Sequence, residues 1–259
     1  MTKFSNIRNY AKLSVAPMMD WTDRHCRYFH RTLSKNTLLY TEMVTSPALI
    51  KGNATHLLEF DKSEHPVALQ LGGSDPIELA KAAVIGSKYG YDEINLNVGC
   101  PSDRVQSGTF GAVLMKTPEV VAKCCKEMID AVDTEVTVKC RVGVDQQNPD
   151  VTLPKFLEHI SNAGVTRVII HARKAILSGL SPKQNRNVPP LNYELVYKMK
   201  ELFPDLHLSL NGGIQSIQQA KSHLENGIDG VMIGRAAYQK PGEVLIDVDK
   251  YIFNDETSE

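Results

Sequence analysis

The sequence predicts an α/β fold, a (β/α)8 TIM barrel, on three observations. Eight short apolar segments alternate with stretches of helical period along the whole chain. No cluster of neighbouring strands interrupts that alternation, which favours parallel strands joined by crossover helices. Polar residues recur at every second position near the ends of the strands, where the active sites of such barrels lie. A chain of 259 residues with 42% hydrophobic content suffices for one barrel with a packed core. A doubly wound open sheet would usually carry an early GxGxxG turn, and none follows the first strand.

The expected strands are, in order, LSVAPM (13–18), LLYTEMV (38–44), PVALQLG (66–72), EINLNVG (93–99), TVKCRVG (137–143), RVIIHAR (167–173), LHLSLNG (206–212) and GVMIGRA (230–236). Between them, DPIELAKAAVIGSKYG (75–90) and PEVVAKCCKEMIDAV (118–132) place apolar residues at three- and four-residue steps. Asp75 and Thr117 each precede a proline as capping residues, and Gly90 and Gly227 stand where helices end. Side chains on a strand alternate between faces. That puts Gln70, Asn95, Asn97, Lys139, Arg141, His171, Arg173, Ser209 and Asn211 toward the barrel axis, all expected at the C-terminal strand ends, with their apolar neighbours toward the helices.

Composition excludes several classes. No apolar run is long enough to cross a bilayer, and MTKFSNIRNYAKL lacks the apolar core of a signal peptide, so a cytoplasmic protein without membrane contact is expected. Five cysteines, an odd number without CxxC spacing, disfavour a disulfide framework and a zinc site, and no metal is expected. A net charge of -1 gives no sign of a nucleic-acid binder, so any grip on RNA must be a patch. DRHCRYFHRTLSK (23–35) is one candidate, with a solvated helix face as the alternative. Nothing sets an oligomeric state, and a monomer is the simplest expectation.

The rim carries the chemistry. LNGGI (210–214) after the seventh strand and MIGRA (232–236) after the eighth offer backbone N–H groups and the two-pronged donor Arg235, where such barrels often hold a phosphate. With Gln70, Lys139 and His171 pointing inward, a flat phosphorylated cofactor suits the site. Gln70 can donate and accept along the edge of a flavin or pyrimidine. Lys139 could hold negative charge on a reduced ring, pair with Glu42, or form a Schiff base as in an aldolase. His171 faces the cofactor or is a satisfied core histidine. Cys100, between Gly99 and Pro101 at the barrel mouth, is a candidate acid or nucleophile. Cys124 and Cys125 share an apolar helical stripe with Val121, Met128 and Val132, Cys140 points into the helix layer, and nothing places Cys26.

Seven ordered motifs, APMMDWTDRHCRYF (16–29), QLGG (70–73), NLNVGCPSDRVQSGTFGAVLM (95–115), VKCRVGVD (138–145), HARKAILSGLSPKQNR (171–186), NGGI (211–214) and GRAAY (234–238), together resemble the tRNA-dihydrouridine synthases. The SPKQNR segment and the DWTDRHCRYF start resemble their A-type subgroup. The resemblance implies an FMN enzyme that uses NADPH to reduce uridine to 5,6-dihydrouridine in the D-loop of tRNA, about positions 20/20a. It implies that Pro17, Met18, Met19, Gln70, Lys139, His171, Asn211, Gly212, Gly213, Gly234 and Arg235 contact FMN, that Cys100 donates the proton, and that Asn97, Lys183 and Arg186 contact tRNA. By the same resemblance, residues 1–240 form the FMN-binding barrel. Residues 241–259 are then a short C-terminal helix and polar tail, the remnant or start of a helical tRNA-binding domain. A barrel with so little of that domain is expected to capture tRNA weakly. Alternatives are a small-molecule FMN barrel of the dihydroorotate-dehydrogenase kind, a barrel that binds flavin or tRNA without turnover, and a colourless aldolase.

Overall fold

The computed structural model describes residues 4–102 and 110–256, so the stretch 103–109 of the third motif lies outside the described residues. Eight parallel strands form one sheet: β1 (Leu13–Val15), β2 (Leu39–Thr45), β3 (Val67–Gly72), β4 (Glu93–Val98), β5 (Glu135–Arg141), β6 (Arg167–His171), β7 (His207–Asn211) and β8 (Gly230–Ile233). From β2 to β8 each pairs with its sequence neighbour, and β8 pairs with β1. A bridge between Ser14 and Leu38 joins β1 to the chain entering β2 and closes the barrel. The predicted fold is the observed one. β1 is shorter than expected, since Pro17 has no N–H to continue a ladder.

Helices such as Pro76–Tyr89 and Pro118–Ala131 pack their apolar faces on the outside of the strands. Cys124, Cys125 and Cys140 are fully buried in that layer, as their positions predict. The Asp75 carboxylate accepts from Glu78 N at 2.8 Å and caps its helix. Thr117 makes no side-chain cap; its hydroxyl donates back to the Leu114 carbonyl at 3.5 Å. Residues 241–251 form two short helices, Pro241–Leu245 and Val248–Tyr251, where one was expected. Their Val244, Leu245 and Val248 join the core. Asp249 accepts from Ser34 Oγ (2.7 Å) and Lys35 N (2.6 Å), tying the segment to the end of helix Arg24–Leu33.

That helix corrects the basic-patch expectation. Arg27 and Arg31 are buried. Arg27 pairs with Glu64 at 2.6 Å, and Arg31 donates to the carbonyls of Ser34, Lys35, Thr37, Glu64 and Pro66. Arg24 is paired with Glu59. The guanidiniums of Arg27 and Arg31 tie loops together and are not displayed to a polyanion, whereas Arg24 stays exposed beside Glu59.

Inside the barrel the polar layer runs its full depth and not only at the C-terminal rim. At the N-terminal end Arg167 donates to Glu93 and, at 3.0 Å, to Glu135, all three essentially without solvent contact. Tyr40 OH also donates to Glu93, at 2.7 Å. Helix Ser5–Tyr10 closes this end, with Ile7 against Leu38, Tyr40, Ala68, Ile169 and Met232.

Two histidines, His30 buried and His207 half-buried, give the fold an acid limit. Burial, with Arg31 nearby, pushes His30 down to about 4. Burial, with Arg167, Arg8 and Lys200, pushes His207 down to about 3. Below an ordinary histidine pKa of about 6.5 the unfolded chain therefore binds more protons, and stability falls as pH drops. For His30 alone the expected loss is about 2 kcal/mol at pH 5 relative to pH 7.5. Urea midpoints should be flat above pH 7 and decline toward pH 4; equal midpoints at pH 7.5 and 5 would show that these rings are not held neutral.

Candidate active site

The site is built on the C-terminal ends of the strands. Cys100 follows β4 and is half-buried, its Sγ 3.5 Å from Ser102 Oγ. Its loop is pinned from two sides. Asn97 Oδ1 accepts from both Gly99 N and Cys100 N at 3.0 Å, and Arg141 Nε donates to the Gly99 carbonyl at 3.0 Å. Arg141 also donates to the Lys174 and Asn185 carbonyls, so one buried guanidinium joins the Cys100 loop to the loop carrying Lys183 and Arg186.

Gln70, buried on β3, uses both ends of its amide: Oε1 accepts from Asn97 Nδ2 and Nε2 donates to Asn95 Oδ1, each at 2.8 Å. One N–H and one lone pair remain for a ligand. Lys139 Nζ donates to Asn211 Oδ1 at 3.1 Å, and burial, with Arg141 nearby, lowers its pKa to about 8. Glu42, offered as one alternative partner for Lys139, instead accepts from Asp20 N. His171 is buried, and burial followed by Arg141, Lys139, Arg173 and Arg186 holds its pKa well below the usual range. Asn211 Nδ2 is fixed by the Met232 carbonyl.

Gly212 and Gly213 have φ of +116° and +76°, and a Cβ on Gly212 would lie 2.6 Å from the His171 ring. Both glycines are therefore demanded by conformation, and Gly212 by the ring beside it. Gly234 ends β8 near Met18 Sδ. Arg235 donates to Asn187 Oδ1 at 3.0 Å and to the Arg186 carbonyl, which joins the eighth-strand turn to the same loop. Pro17, Met18 and Met19 form a turn after β1, where Thr22 Oγ1 accepts from Met18 N at 2.9 Å; Met19 is exposed.

The structure thus gathers Asn97, Cys100, Gln70, Lys139, His171, Asn211, Gly212 and Arg235 around one mouth, with Arg141, Arg173 and Arg186 beside them. Among the described residues none of the five cations Lys139, Arg141, Arg173, Arg186 and Arg235 has a carboxylate partner, and the buried Arg173 Nε has no hydrogen bond. Lys183 and Met19 are exposed to solvent. Sequence reasoning gave no role to Arg141, nor to Trp21 and Tyr238, whose rings stack at 4.5 Å across the turns after β1 and β8. Among the described residues no group of three or more histidine, cysteine, aspartate or glutamate side chains is placed to hold a metal, and no helix is long and apolar enough to cross a membrane.

Comparison with known proteins agrees with this arrangement. Residues 14–258 match the family model described as dihydrouridine synthase (Dus). A tRNA-dihydrouridine(20/20a) synthase of Shigella flexneri is 56% identical over 254 residues, covering 98% of this chain and 74% of that protein. The protein of the same name from Escherichia coli (strain K12) is also 56% identical over 254 residues, covering 98% and 73%. One from Vibrio cholerae is 56% identical over 247 residues, covering 95% and 75%. With a fold, a mouth and a sequence that agree over almost its whole length, the chain belongs to the dihydrouridine synthase family.

Proposed function

We propose that this chain reduces uridine to 5,6-dihydrouridine in tRNA, at D-loop positions 20/20a as in the names of its relatives, with FMN as cofactor and NADPH as reductant, in the cytoplasm. The observation that supports it best is the ring of cations that have no carboxylate partner among the described residues, next to a thiol held at the mouth. Such a ring calls for a polyanion, and a nucleotide cofactor and an RNA backbone are both polyanions. The Gly212–Gly213 turn keeps side chains out of the phosphate corner, and Arg235 and Arg173 flank it. The residues present therefore fit FMN. Gly212, Gly213, Gly234 and Arg235 would hold its phosphate, and Gln70, Lys139, His171, Asn211 and the Pro17–Met19 turn its ring and ribityl chain.

When bound and reduced by NADPH, FMN supplies the hydride that adds to carbon 6 of uracil. The uracil must first leave its stack to reach the mouth. Negative charge then builds on the uracil toward carbon 5 and the adjoining carbonyl oxygen. Cys100 gives its thiol proton to carbon 5, and the resulting thiolate is reprotonated from solvent. Asn97 keeps the thiol in place and has one N–H left for the base. Lys183 and Arg186, exposed on their loop, meet tRNA phosphates.

Purified protein should be yellow and release FMN on denaturation. Arg235→Ala removes a charge-assisted contact worth about 1.5–3 kcal/mol, so FMN affinity should fall roughly tenfold or more. Protein that stays colourless with added FMN would revive the aldolase reading, and unchanged affinity in the variant would put the phosphate elsewhere.

A further inference from the structure

A directed chain of hydrogen bonds runs the depth of the barrel and ends at the Cys100 loop. Gly99 N and Cys100 N donate to Asn97 Oδ1; Asn97 Nδ2 donates to Gln70 Oε1; Gln70 Nε2 donates to Asn95 Oδ1. Asn95 Nδ2 then donates to Thr137 Oγ1 at 2.8 Å, and Thr137 Oγ1 donates to Glu93, which also receives Arg167. Every amide in the chain could be turned end for end without changing its shape. The terminus decides. A carboxylate that already pairs with a guanidinium can only accept, so the Thr137 hydroxyl must point its hydrogen at Glu93 and offer its lone pair to Asn95. That choice sets Asn95, then Gln70, and finally presents the oxygen of Asn97, not its NH2, to the two backbone N–H groups of the Cys100 loop. Reversed, the NH2 of Asn97 would face two donors, and the loop would lose its lower anchor.

We infer that Thr137 and Glu93 are positioning residues for Cys100, acting through the Asn95–Gln70–Asn97 relay from the far end of the barrel. Register shows why these residues can do so. Glu93, Asn95 and Asn97 alternate on β4, and Thr137 lies directly beside Asn95 on β5, so each hand-over crosses a single strand spacing. All the side chains of the relay from Asn97 to Glu93 are buried, where an unsatisfied amide is costly and the direction of the chain is enforced. The inference rests on the proposed reaction for its consequence in rate, but not for its structural content.

Thr137→Val keeps the shape of the side chain and removes the hand-over; Thr137→Ser keeps the hydroxyl. In Thr137→Val, hydrogen exchange at the amides of Gly99 and Cys100 should speed up severalfold, and tRNA reduction at saturating tRNA should fall roughly tenfold. tRNA affinity should stay near wild type, the rates are compared at saturating FMN because the relay also passes through Gln70, and Thr137→Ser should behave as wild type on all counts. In a Cys100→Ala background Thr137→Val should cost nothing further, because two changes acting through one group do not add. If Thr137→Val does not fold, Thr137→Ala, which cannot crowd the strand, carries the same measurements. Unchanged exchange, or an equal rate loss with and without Cys100, would overturn the inference. Wild-type protein that does not reduce tRNA at all would overturn the proposed reaction, while the exchange arm would still decide the relay.

Discussion

Cys100→Ala should leave FMN bound and reducible by NADPH, yet slow the reoxidation of reduced enzyme by tRNA about a hundredfold or more. In the proposed reaction hydride addition to uracil is coupled to proton delivery at its neighbouring carbon, and a positioned acid typically contributes at least this much. The geometry makes Cys100 the group at stake: its backbone is anchored by Asn97 and, through Gly99, by Arg141, at the mouth and not in the core. The other cysteines serve as internal controls. Cys124, Cys125 and Cys140 are buried among apolar side chains, and burial raises the thiols of Cys124 and Cys140 to about 12 and pushes that of Cys125 up as well. Cys124→Ala should therefore change stability alone. Rapid mixing of reduced protein with tRNA is the measurement. Wild-type rates in Cys100→Ala would assign the proton to water or to another residue.

The second large effect is on stability. Arg167→Met should destabilise the fold by about 3–5 kcal/mol, because it leaves Glu93 and Glu135 buried without their shared cation. Arg8 approaches Glu135 only at 3.6 Å and cannot replace it. Urea denaturation at pH 7.5 reads this directly. A loss below about 1 kcal/mol would show that the cluster is not held as ions, and that the polarity of the relay above it has another origin.

Much of the fold was legible because strand and helix periods differ and each segment was long enough to show its own. Alternation also placed Gln70, Asn97, Lys139, His171 and Asn211 correctly on the inner face. The same rule covered Glu93, Thr137 and Arg167, which share that parity, but they were passed over because only strand ends were expected to be polar. Helix Arg24–Leu33 was misread for a different reason. A guanidinium donates to five positions, and Arg31 spends them on carbonyls from residues 34 to 66, which no local pattern reveals. Arg141 was visible as a polar rim residue, but the carbonyls it joins come from two separate loops. The Trp21–Tyr238 stack likewise needs the closed barrel to bring β1 next to β8.

Unmodified tRNA incubated with the FMN-loaded protein and NADPH, at tRNA concentrations that saturate binding, should acquire dihydrouridine at positions 20/20a, detected by mass spectrometry of nuclease fragments. Flavin-loaded protein that oxidises NADPH but leaves those uridines intact at saturating tRNA would contradict it.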